Sequence, residues 1–179
     1  MSVPLSNARQ IEYLLADPTG RLGDGMAIAL RYRAFVARQH ASLLDAWTSK
    51  DYPRALVELH FALTALNRTC DGLYLADQGL CGLISGHLAT VDWALHRDAQ
   101  NHFEHIDDRI YGSRRNAPHP IDELGAIQTI HFGLRESMEF VWSNHRIDVS
   151  TEMVKRFDSY VETAINMVDT HVAALQVVR

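Results

Sequence analysis

Long hydrophobic runs are missing from this chain: nowhere do about 18 or more apolar residues follow one another, so no segment reads as a membrane span. The opening MSVPLSNARQIEYLLADP also lacks the basic-then-apolar layout of a secretion signal, which makes the cytoplasm the simplest expected location, with no membrane partner. Cysteine is scarce. Cys70 and Cys81 lie in apolar surroundings with no CxxC pair and no zinc spacing, so they read as buried thiols rather than as a disulfide framework. Basic charge is not in excess either: the formal charge of −5 argues against a broad basic surface coating duplex nucleic acid, while leaving room for a small cleft that acts on one. The glycines at 20, 23 and 25 do not form a strand-then-helix phosphate loop, HExxH is absent, and neither Ser/His/Asp nor Cys/His nucleophile arrangements have a local signature. No internal repeat, linker or low-complexity tract interrupts the chain.

What is present is an ordinary globular composition, 47% hydrophobic and 22% charged over 179 residues, suited to one domain spanning 1–179. Helical spacing dominates. A short helix is expected around 5–15, a loop over 20–25, and a long helix over 26–47 with Ala27, Leu30, Ala34, Ala37, Ala41 and Leu44 on one stripe. Asp51 can cap the next helix with Pro53 in its first turn, followed by Leu56, Leu59, Leu63, Leu66, Cys70 and Leu73. The three-and-four rhythm then runs from Ile84 through Leu88, Val91, Leu95, Ala99, His102 and Ile106 to Ile110, which predicts one long helix ended by Gly112 and the prolines at 118 and 120.

From 127 to 149 the pattern alternates: Ile127, Thr129 and His131, then Met138, Phe140 and Trp142, with a turn over 133–137. This reads as a β-hairpin. Ser150 or Asp148 then caps a last helix that turns Met153, Phe157, Tyr160, Val161, Ala164, Ile165, Val168, Val172 and Leu175 inward. The expected fold is mainly all-α: a four-to-five-helix bundle with a small β-hairpin inserted before the C-terminal helix.

Ten histidines are scattered along the chain, and one stretch, RDAQNHFEHIDD at 97–108, combines them with other reactive groups. At about 100° per residue, Arg97 and His102 are separated by roughly 140° around a helix. Arg97 shares a face with Asn101, and Asn101 with His105, whereas Asp98 aligns with His102. A half-shielded histidine oriented by a carboxylate such as Asp98 can exchange a proton near neutral pH, and an arginine fork suits the charge that develops on an attacked phosphodiester. Arg97 plus His102 is thus a minimal site for cutting RNA by its own 2′-hydroxyl.

The run Arg97-Asp98-Ala99-Gln100-Asn101-His102 resembles the motif of the HEPN superfamily of small α-helical proteins: an arginine, a polar residue, and a histidine after a short gap. The resemblance implies a bundle that forms a homodimer, so that two motif helices face each other and build a composite site. It implies RNA as substrate, no metal or other cofactor, and a toxin, antiphage or RNA-processing setting with an antitoxin or other partner protein. In that frame Arg97 and His102 are catalytic with Asp98 supporting them, and Asn101 and His105 contact substrate or the other subunit. Some members are non-catalytic binding modules.

Two plainer readings stand beside this one. Arg97 to Asp108 can be a solvated helix face with i,i+4 pairs contributing about 0.2 to 0.5 kcal/mol each. A metal site could draw on His102, Glu104, His105 and Asp108 with His60 or His171 from neighbouring helices, although the spacing matches neither a di-iron bundle nor a zinc protease. Trp93 and Trp142 suit either a core or an interface.

Overall fold

The computed structural model describes residues 6–104, 132–142 and 145–177. Among these are α1 (Asn7–Ala16), α2 (Arg21–Thr48), α3 (Tyr52–Gly79), α4 (Ser85–Leu88), α5 (Ala94–Glu104), β1 (Phe132–Leu134), β2 (Glu139–Trp142), β3 (His145–Asp148) and α6 (Thr151–Val177). The fold is mainly helical with a small antiparallel sheet before the C-terminal helix, as the sequence pattern implies. No described helix is long and apolar enough to cross a membrane. The chain divides into two compact units, one built from Met1–Trp93 with Thr151–Arg179 and the other from Ala94–Ser150.

In the first unit α2 and α3 pack along their length. Two glycines lie at a tight point of this contact. A methyl group on Gly25 would lie 2.5 Å from the Gly72 carbonyl oxygen, and one on Gly72 would lie 2.6 Å from the Ala29 nitrogen. This contact sets the rotation of α2: its buried side chains are Leu22, Met26, Ala29, Val36, His40, Leu43 and Ala46, and Ala37 and Ala41 of the expected stripe are exposed. Both rows of α2 are apolar enough to be buried, so periodicity alone does not choose between them.

The loop expected over 20–25 is also corrected, because α2 already begins at Arg21. Asp17 is the reason. Its carboxylate accepts from the Leu22 amide at 2.8 Å and from the Thr19 amide and hydroxyl at 2.9 and 2.7 Å, satisfying a first-turn donor of α2, while Gly20 takes φ +81°. The α3 start follows the sequence pattern: Asp51 accepts from the Arg54 amide at 3.3 Å, and Pro53 occupies the first turn.

α6 belongs to the first unit and buries Met153, Phe157, Tyr160, Val161, Ala164, Ile165, Val168 and Val172, whereas Leu175, expected to face inward, is exposed in the last turn. Tyr13 of α1 donates to Asp169 of α6 at 2.7 Å and accepts from Arg9 Nε at 3.0 Å, while Arg9 also pairs with Asp169. Arg33 of α2 holds Asp158 of α6 through two bonds of 2.6 and 3.0 Å and pairs with Glu162. His87 and Tyr160 clamp each other: His87 Nε2 donates to the Tyr160 carbonyl at 2.8 Å, and the Tyr160 hydroxyl donates to the Leu88 carbonyl at 3.2 Å.

The single helix expected from Ile84 to Ile110 is broken. The Thr90 amide and hydroxyl both close on the His87 carbonyl, at 2.9 and 2.7 Å, occupying the acceptor that Val91 would need to continue the helix. α4 therefore stops at Leu88 and α5 starts at Ala94; residues 105–110 lie outside the described set.

In the second unit the strands run in the order β1-β2-β3, pairing Gly133 with Val141, Phe140 with Ile147 and Trp142 with His145. The hairpin is thus extended by a third strand. Gly133 lies in β1 rather than in a turn, and the reversal is made by Arg135 to Met138, where the Met138 amide bonds the Arg135 carbonyl at 2.9 Å and Met138 takes φ +56°. Ile127, Thr129 and His131 of the expected first strand lie outside the described residues.

Candidate functional site

α5, with the sequence ALHRDAQNHFE, turns two side chains inward, Ala99 and His102, three residues apart as helical spacing requires. Arg97, Asp98, Asn101 and Glu104 are exposed, and Gln100 donates to Glu104 one turn on. The helix therefore divides the segment in two. Arg97, Asp98 and Asn101 share its solvent side, while His102 is 3% exposed on the other.

Alternation in β2 aims Phe140 and Trp142 into the unit while Glu139 and Val141 stay half-exposed. Phe140 stacks on Phe103 of α5 at 4.9 Å between ring centres and on Trp142 at 5.5 Å. The Trp142 ring lies 6.4 Å from His102 and 5.5 Å from His145, tilted 40° and 32° to them. One indole thus neighbours two imidazoles. Trp142 is 4% exposed, so this row is core, as one of its two sequence readings allows, whereas His145 at the start of β3 is exposed.

His105 lies outside the described residues, as does Asp108 of the metal reading. Among the described residues no three His, Cys, Asp or Glu side chains gather as they would around a metal ion. A groove of about 440 Å³ in the first unit is lined by Arg33, Val36, Ala37, Lys155, Phe157 and Asp158 among others, but its arginine fork is already engaged by carboxylates.

No match to a known protein is found. No family model fits the chain, and no curated protein or solved structure matches it. The chemistry of α5 and of the sheet beside it therefore has to be read from its own residues. The nearness of His145 to Trp142 was not legible in the sequence, because it follows from the cross-strand pairing of Trp142 with His145, 43 positions beyond His102.

Proposed function

We propose that this chain is a HEPN-like helical protein that acts on RNA as a metal-independent endoribonuclease, working as a homodimer in a toxin or antiphage-defence setting. The observation that supports this reading is that the whole Arg97-to-His102 run lies on one regular helix, with Arg97 exposed and His102 held by packing near Trp142. In the proposed reaction His102 takes the proton from a 2′-hydroxyl and Arg97 balances the negative charge that grows on the phosphate. Asp98 polarises the pair, and Asn101 and His105 contact substrate or the second copy. An antitoxin or other partner protein would act by covering the exposed strip of α5.

The burial of His102 favours a second reading. Here the imidazole is a core residue, and Arg97, Asp98 and Asn101 form a contact surface of a non-catalytic module that binds protein or nucleic acid. Cleavage assays on the wild type, Arg97→Ala and His102→Ala, each checked for fold and oligomeric state, separate the two. RNA turnover that survives chelator and is lost in both folded variants supports the first reading. Absence of turnover, with Arg97→Ala altering association instead, selects the second.

A further inference from the structure

Arg9, Arg33, Arg54 and Arg68 of the first unit each hold a carboxylate: Arg9 pairs with Asp169, Arg33 with Asp158 and Glu162, Arg54 with Asp45 and Glu58, and Arg68 with Asp71. Arg31 and Arg38 of α2 are exposed and hold none among the described residues. They lie in a stretch of α2, 25–44, that contains no aspartate or glutamate. At about 100° per residue, Arg31, Phe35 and Arg38 fall within about 60° of one another, on the side away from buried Met26, Ala29 and Val36. The Arg38 guanidinium carbon sits 4.5 Å from the centre of the half-buried Phe35 ring, and the Tyr32 ring lies 6.0 Å from that of Phe35. An aromatic ring holds a guanidinium without neutralising it, so the charge and the N–H donors stay available.

Taking its ligand class from the RNA reading above, we propose that Arg31, Phe35 and Arg38 form a contact surface for single-stranded RNA. Arg38, seated over Phe35, offers a guanidinium plane on which an unpaired base stacks. Its N–H groups, and those of Arg31 two turns away, take phosphate oxygens. The uncompensated charge selects an anionic strand, and the aromatic seat selects one that carries bases. A duplex keeps its bases stacked inside and cannot use the platform. Two cations make a narrow contact, which suits a chain whose formal charge is −5. The surface moves no proton, so it depends on neither Arg97 nor His102.

The test measures binding of the full-length protein to a fluorescein-labelled 2′-O-methyl oligoadenylate of about 20 nucleotides, which has no 2′-hydroxyl to attack and so reports binding apart from cleavage. In anisotropy titrations at several salt concentrations, we expect the slope of log Kd against log salt to fall by about 0.7 in Arg31→Gln and by about as much in Arg38→Gln. Arg38→Lys keeps the charge and loses the plane, so it should keep the slope yet bind about 5-fold or more weakly. Arg68→Gln, which removes an arginine already held by Asp71, should bind as wild type does. Wild-type binding that is absent, or that Arg31→Gln and Arg38→Gln leave unchanged, overturns the surface and leaves RNA cleavage to its own assay. Oligoglutamate that displaces the oligonucleotide as well as unlabelled oligonucleotide does, charge for charge, overturns the choice of RNA over an acidic protein. Arginine-dependent binding by a wild type that cuts no RNA supports the surface and overturns the cleaving reading instead.

Discussion

Gly25 and Gly72 face each other across the α2–α3 contact with no room for a side chain on either. A Cβ on Gly72 would sit 2.7 Å from the Gly25 carbonyl oxygen, and one on Gly25 would sit 2.5 Å from that of Gly72. Alanine at either place raises intrinsic helix propensity by about 1 kcal/mol. The clash is with main chain, which cannot swing aside as a flexible side chain can. Gly25→Ala and Gly72→Ala are therefore expected to be net destabilising, by about 1 to 3 kcal/mol, read from the denaturant midpoint at unchanged m-value.

Asp17 supplies a pH-dependent share of stability. Burial pushes its carboxyl upward, but bonds from the Thr19 hydroxyl and the Leu22 and Thr19 amides, with the charge of Arg21, outweigh burial and hold it below the usual aspartate range. A depressed native value means that this stability is fully present above the unfolded value of about 3.9 and is lost as pH falls through the native one. Asp17→Asn should cost roughly 1 to 3 kcal/mol at neutral pH. The gap between variant and wild type should close on acidification; a gap that stays constant would contradict the assignment.

Tyr13 and Tyr160 act at the other end of the scale. Burial, reinforced by the bond to Asp169, raises the Tyr13 phenol, and burial together with nearby Cys70 and Tyr74 raises that of Tyr160. The unfolded chain ionises both near pH 10 while the native state keeps them neutral, so their contribution is complete below that pH and is lost as pH rises further. Wild-type stability should fall above about pH 10, and the fall should be shallower in Tyr13→Phe and Tyr160→Phe. At neutral pH Tyr13→Phe should cost about 1.5 to 3 kcal/mol, since the lost bond is to a charged carboxylate.

Arg97 and His102 should separate cleanly in stability measurements. Exposed Arg97→Ala is expected within about 0.5 kcal/mol of wild type, whereas His102→Ala removes a buried ring beside Trp142 and should cost more than about 1 kcal/mol. If RNA cleavage is the function, Arg97→Ala should still lower it by about 100-fold or more, despite its intact fold. Equal thermal shifts in the two variants would contradict the burial assigned to them.

Helix existence and type, the Asp51 cap with Pro53 behind it, and nearly the whole inward face of α6 were legible in the sequence. These depend on local rules: a side-chain oxygen within reach of a free amide, and apolar residues recurring every three or four positions. The same rules put Arg97 and His102 on different faces of one helix, and the structure has one exposed and the other buried. What the tertiary structure alone decided is non-local. Which apolar row of α2 turns inward follows from the two glycines of the α2–α3 contact, 47 positions apart. The break after α4 follows from Thr90 capturing the His87 carbonyl, a competition that the apolar rhythm does not register. The place of His145 follows from strand pairing, which joins residues by main-chain bonds that their side-chain identities do not announce.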